Sequence, residues 1–388
     1  MEFMETEPRR KTQHKTVFVA LLAVIVLSLF VRPEADCFAA EGAPASVDAG
    51  KQPPVVVQPP GKPLLHRRPL AVSGKHLTAE GFGKIVPFTA SAFPYDGKIP
   101  DQDKDFLDVA SGERRGHTSP RGGVLWADQT YNKQDVLLYV PKSFDSSKPA
   151  VIIVFFHGNL ATLERDVKFR QHVPRQLLES GLNAVLVAPQ LAVNALDSSA
   201  GHFWDADFFR KFLDEAAEHL AKMQGGSEDK FKTSPVVIVA YSGGYLPAIF
   251  SAQKNSGAAQ RIRGIILLDA LFGEFDKYAD WISDNRANAF FFSAYSPASA
   301  AANESLFKNL KTIDVRCERG FPPTLQRGSI YFLAVGESAN HNDFVTHAWT
   351  KYPLKDVLER VEGYRRVPLK SAPAVVGEER SREPGHEK

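Results

Sequence analysis

Short apolar runs recur along the middle of the chain, each stopped by a proline, a glycine or a polar turn. Val236 to Ala240 is unbroken and mostly β-branched, the pattern of a strand buried on both faces of a parallel sheet. Ala150 to Phe156, Asn183 to Ala188, Gly264 to Leu268, Ala289 to Ala294 and Ser329 to Leu333 read the same way. Helical patterns lie between them. Leu163 to Ser180 is one, with Pro174 expected to break or kink it and Gly181 to end it. Ala206 to Met223 sets Phe209, Phe212, Leu213, Ala216 and Leu220 on one face. Tyr245 to Lys254, Glu274 to Ile282, Asn303 to Leu310 and Leu354 to Val361 complete the set. Ahead of these, Val124 to Thr130 and Asp135 to Val140 predict two strands joined at Asn132–Lys133 as an antiparallel hairpin. The sum is an α/β fold: a mostly parallel sheet with helices on both faces and an antiparallel hairpin at its start.

Outside this alternation the pattern changes. Arg9, Arg10, Lys11 and Lys15 precede an apolar run from Val17 to Val31 that only Ser28 interrupts. A basic stretch followed by such a run has the form of a secretory signal, residues 1–40, and is marginal in length for a spanning helix. Cleavage near Cys37-Phe38-Ala39-Ala40 and retention as an N-terminal anchor both remain open, and either one exports the rest of the chain. Residues 41–80, with Pro53–Pro54 and Pro59–Pro60, read as an extended linker. Ile85 to about Arg121 is irregular and reads as a loop-rich lead-in to one large domain over 81–365, and 366–388 as a polar, disordered tail.

Composition narrows the function. Of 388 residues 44% are hydrophobic, enough for one large α/β domain. The 47 basic and 45 acidic residues leave a net charge of +2, and no basic stripe interleaves with aromatics, so nucleic acid is not an expected partner. Membrane contact is expected only through the N-terminal apolar segment, and nothing in the sequence fixes an oligomeric state. The two cysteines, Cys37 and Cys317, build no disulfide framework or Cys-rich metal site, and no His-x-x-x-His pair has a nearby glutamate. No cofactor or metal is expected. His219 reads as a surface residue and His347, six residues from His341, as unremarkable. Gly201-His202-Phe203-Trp204 fits either a pocket wall or the packing of a long loop.

The chemistry falls on residues just past the strands. Tyr241-Ser242-Gly243-Gly244 joins a strand to a helix with a serine at the tip, the layout of a nucleophile elbow, with Ala240 in the usual place of the first glycine. Ala240 and Gly244 are small because the turn brings strand end and helix start together. Ser242 read blandly is a helix cap. His157-Gly158-Asn159 follows Ala150 to Phe156, and His341 follows the last strand. In an open α/β sheet these positions share the rim where ligands bind. Together they make the chain from Val124 to Val361 resemble the α/β-hydrolase superfamily. The resemblance implies a serine hydrolase with an acyl-enzyme and no cofactor. It gives Ser242 as nucleophile, His341 as general base, and the N–H groups of Gly243 and Asn159 as an oxyanion hole. His157 is expected to tie its loop down.

The acid is the open position. The superfamily usually places it after the strand Ala289 to Ala294, where YSPASAANE offers only Glu304, at the start of a helix. Asp269 ends the strand beside the elbow, a place some members use, and is the favoured candidate. Its competing role is to cap the next helix. Asp343 fits better as a cap. The expected substrate is a small-molecule or acylated ester, with thioesters and amides as alternatives. A non-catalytic ligand- or envelope-binding protein of the same fold competes, as does a plain envelope anchor. Labelling of Ser242 by a fluorophosphonate separates the first reading from the other two.

Export is the expectation that the sequence alone generates. A reporter active only outside the cytoplasm, fused after the Pro-rich linker, should be active. A stable but silent fusion contradicts export, and mass spectrometry of the mature N-terminus decides between cleavage and anchoring.

Overall fold

The computed structural model describes residues 76–78, 81–337 and 339–364. The N-terminal apolar run, most of the linker and the tail lie outside the described residues. Among the described residues no helix is long and apolar enough to cross a membrane.

The central sheet holds β1 His76–Thr78, β2 Gly81–Pro87, β3 Asp135–Pro141, β4 Val151–Phe156 and β5 Ala184–Pro189. It continues with β6 Val236–Tyr241, β7 Ile262–Leu268, β8 Phe290–Tyr295, β9 Glu318–Arg319 and β10 Ile330–Ala334. Their spatial order is β1-β2-β3-β5-β4-β6-β7-β8-β10-β9. The β1–β2, β2–β3 and β3–β5 pairs are antiparallel, and every pair from β5–β4 onward is parallel. The chain leaves β4 for β5 on one side and then crosses to β6 on the other. The strand order therefore reverses at β4, and the crevice beyond β4 and β6 is where such a sheet receives a ligand.

Strands β4, β5, β6 and β8 are buried at every position. Alternate side chains feed two cores. Ile152, Val154, Phe156, Val236, Ile238 and Ala240 face one core, closed by α2 Phe208–Gln224, α3 Tyr245–Ala252, α4 Phe275–Asn285 and α5 Ala300–Thr312. Val151, Ile153, Phe155, Val237, Val239 and Tyr241 face the other, closed by α1 Val173–Glu179 and α6 Pro353–Leu358. The α2 face foreseen from spacing is the buried one, with Phe209, Phe212, Leu213, Ala216 and Leu220 all inside. The Gly201–Trp204 turn belongs to packing. Phe203 lies edge-on to Phe156 at 5.1 Å, and Trp204 meets Tyr95 and Phe106. His219 is not a bare surface group, since it stacks on Phe88 at 5.0 Å.

The structure corrects the start of the fold. The antiparallel strands are present, but Asp135–Pro141 pairs with Gly81–Pro87 and not with the segment just before it. Val124–Trp126 instead joins Val109–Ser111 and Arg114–Thr118 in a separate three-stranded sheet, and Ala127–Thr130 is one helical turn. β3 is buried on both faces and needs a neighbour at each edge. Its true partner was masked because Gly81, Gly83 and Pro87 imitate turn residues. The helix expected over Leu163 to Ser180 is also two pieces. Leu163–Arg170 is wound as a π-helix, and the break falls at Gln171–His172, where His172 turns left-handed with φ 51°. Pro174 does not break anything. It sits in the first turn of α1, where its missing N–H would have no intrahelical partner.

Phe212 is wholly buried between Phe203, at 5.3 Å, and Phe88, at 5.6 Å. Phe212→Ala should cost about 3–5 kcal/mol of stability, read as a lowered denaturation midpoint with an unchanged slope.

Candidate active site

Four chain segments leave the carboxyl ends of β4, β6, β7 and β10 and converge on one rim. Sharp turns aim the side chains. Leu160, Ser242 and Asp269 all adopt left-handed backbone, with φ of 58°, 54° and 45°. For non-glycine residues this costs about 1–2 kcal/mol each. At each position the turn lifts the side chain off the end of its strand, and such strain persists only where the surroundings sustain it. Gly244 is required by the turn at Ser242, because a Cβ there would collide with the backbone carbonyl of Phe156. Ser242–Gly244 is a single 3-10 turn before α3, and the capping position of α3 is Gly244, so Ser242 is not the cap.

The Ser242 hydroxyl instead meets His341 Nε2 at 2.7 Å, and His341 Nδ1 meets Asp269 Oδ2 at 2.6 Å. With the carboxylate accepting, Nδ1 carries the proton and Nε2 is free to accept from the serine. The Asp269 carboxylate is wholly buried. Burial by itself would raise its pKa. Hydrogen bonds from His341, from the Ser296 N–H and from the Ser299 and Ser296 hydroxyls outweigh that and hold it below the ordinary value. The Ser296 N–H donates to Oδ1 at 3.0 Å and its Oγ to Oδ2 at 2.8 Å, and Ser299 Oγ also donates to Oδ1. An ionised carboxylate inside the protein is thus supplied with four donors, as a buried charge requires.

The rival acids are engaged elsewhere. Glu304 forms a forked ion pair with Arg319, accepts from the Tyr295 hydroxyl, and is pushed down to about 2, chiefly by Arg319. Asp343 accepts from the Asn340 N–H in a capping box at the His341–Val345 turn, and its carboxylate also lies 3.3 Å from His347. Asp269 does not cap α4, whose capping residue is Glu274.

Asn159 lies against the elbow. A Cβ on Gly243 would collide with the Asn159 side-chain oxygen, which also accepts from Ser198 Oγ at 3.3 Å. The next residue is tied across the crevice by Leu160 N–H donating to Ala195 at 2.9 Å. His157 sits beneath. Its Nδ1 donates to the Gly158 carbonyl at 2.8 Å, and its Nε2 accepts from the Leu191 N–H at 2.9 Å and the Gln190 amide at 3.0 Å. Among the described residues no group of three or more His, Cys, Asp or Glu is placed to hold a metal ion.

Sequence reasoning missed the residues that support this set. Ser296 and Ser299 were legible as hydroxyls just past β8, in the stretch searched only for a carboxylate. Gln190, immediately after Pro189, also holds the Leu163 N–H at 3.0 Å. Tyr241 was passed over as part of the elbow.

No family model and no curated protein sequence matches the chain. Among solved structures, it is similar to a feruloyl esterase module from Clostridium thermocellum complexed with sinapinate. The identity is 13% and the TM-score 0.40, over 71% of this chain and 100% of that one. It is also similar to a butyrate-bound thermophilic esterase from the planctomycete Thermogutta terrifontis, at 12% identity and TM-score 0.35, over 58% of this chain and 86% of that one.

The buried His157 supplies a prediction about pH. Burial pushes its imidazole down to about 4, against the pull of the Gly158 carbonyl. The unfolded chain, with an ordinary imidazole near about 6.5, binds that proton more readily. This contribution to stability is therefore complete above pH ~6.5 and is lost as the pH falls toward ~4. Denaturation of wild type and His157→Asn at pH 7, 6 and 5 should show a steeper loss in wild type. Parallel losses would mean that His157 does not titrate this way.

Proposed function

We propose that this chain, with its mostly parallel sheet and the strand-to-helix turn at Ser242, is a serine hydrolase of the α/β-hydrolase kind acting on esters through a covalent acyl-enzyme. The observation that carries this reading is the continuous hydrogen-bonded path from Ser242 through His341 to Asp269. In it, Ser242 Oγ attacks the ester carbonyl while His341 Nε2 takes its proton, and the same nitrogen returns the proton to the departing alcohol. Asp269 keeps the imidazole in the required tautomer and offsets the positive charge it gains. The N–H groups of Gly243 and Asn159 are proposed as donors to the developing oxyanion. Water then enters by the same base-assisted step and releases the acid. Thioesters and amides follow the same route, the amide being harder because an amine leaves less readily. Export, proposed from the run Val17 to Val31, would set this chemistry outside the cytoplasm.

Three variants test the reading. Ser242→Ala should abolish turnover of p-nitrophenyl butyrate and labelling by a fluorophosphonate, with the circular dichroism spectrum retained. Asp269→Asn should lower turnover by up to about 10⁴-fold if the set behaves as a protease triad does. Glu304→Gln should leave turnover within a few-fold of wild type. Full activity in well-folded Ser242→Ala removes the assignment, and a large loss confined to Glu304→Gln transfers the acid role.

A further inference from the structure

A hydrogen bond at each nitrogen fixes the two ends of the His341 ring but leaves it free to tilt about the line joining them. The imidazole is also half-exposed, at the start of the His341–Val345 turn that follows β10. Something further has to set its plane. The Tyr241 ring lies on its face, with centroids 5.1 Å apart and planes 26° apart, and Phe272 meets it edge-on at 5.9 Å. The Tyr241 hydroxyl donates to Asn342 Oδ1 at 3.0 Å, which ties down the residue that follows His341. Burial pushes that hydroxyl well above the ordinary phenol range, so it remains a donor.

Tyr241 is placed for this by the fold. It is the last residue of β6 and buried, so it does not move with the His341 segment. It directly precedes Ser242, and across the sheet it is in register with Leu268, the residue before Asp269. One rigid side chain thus adjoins the chain elements that carry all three members of the set. Its ring face is also the electron-rich surface that favours a cation, which the imidazole becomes each time it takes the serine proton.

We infer that Tyr241 is a positioning residue for His341, its ring fixing the plane of the imidazole and its hydroxyl, through Asn342, clamping the histidine segment to the elbow. The inference rests on the serine-hydrolase reading. It deepens that reading by making the aromatic residue before the nucleophile part of how the base is held.

The experiment compares Tyr241→Phe, Tyr241→Leu, Asn342→Ala and the double variant Tyr241→Phe/Asn342→Ala in the full chain. Each is assayed for kcat and KM on p-nitrophenyl butyrate, fluorophosphonate labelling rate and melting temperature. Tyr241→Leu, which loses both ring and hydroxyl, should lower kcat about 10²-fold, as a misaligned catalytic group does. Tyr241→Phe restores the ring and should recover most of that, remaining about 3–10-fold below wild type for the lost hydrogen bond. Asn342→Ala should match Tyr241→Phe. The double variant should be no worse than either single one, because both remove the same bond. KM should stay within about twofold throughout, since the clamp touches the base and not the bound substrate. Wild-type kcat in all four variants overturns the inference while leaving the hydrolase reading intact. Additive losses, or losses that follow melting temperature and KM together, also overturn it in favour of a packing role. A wild-type protein that neither turns over the ester nor labels at Ser242 overturns the hydrolase reading and the inference with it.

Discussion

A strand covered on both faces has no place for an unpaired polar side chain, and that constraint decides where chemistry can occur in this protein. β4 and β6 carry apolar side chains into two cores, so their interiors are closed to catalysis. On these two strands polar side chains first appear at the carboxyl ends. The reversal of strand order at β4 then opens a crevice between the ends of β4 and β6, with β7 at the next position along the rim. The elbow, the Asn159 loop and Asp269 stand at these ends, where rigid strands meet open space.

The cost of this arrangement is concentrated at Asp269. A carboxylate with no solvent exposure is tolerated only if it is hydrogen-bonded, and most of its donors come from the chain leaving β8. Hydrogen bonds to a charged group are worth about 1.5–3 kcal/mol each, so Ser296 and Ser299 are on the scale needed to offset burial. The same bonds fix which oxygen faces His341. The left-handed backbone at Ser242 and Asp269 is sustained in the same way, by surroundings that leave the side chains no alternative aim.

The parallel strands and their helices were legible because uninterrupted apolar runs and helical spacing report burial directly, as in Val236–Tyr241 and the α2 face. Fold class followed from the alternation. Ser242, His341 and Asp269 were legible as residues that lie just past strands, though only the structure brings them to hydrogen-bonding distance. The lead-in to the sheet was not legible. Gly81–Pro87 pairs with a segment nearly fifty residues on, and contact over such a separation leaves no trace in local spacing. The π-wound turn and the break at His172 were hidden for a related reason: the apolar positions Leu163, Val167 and Val173 fit one helix as well as two. Tyr241 and the serines past β8 went unread because a supporting role depends on what lies across the sheet, which sequence order does not record.

The described sheet ends in its shortest strands, His76–Thr78 at one margin and Glu318–Arg319 at the other. An unpaired strand edge is a template on which a foreign strand can dock, and the danger grows with its length and flatness. Here, among the described residues, the broad, apolar middle strands lie inside margins of two and three residues. Among the described residues, a sheet whose core strands are nearly free of charge thus offers a foreign strand only these short outermost margins.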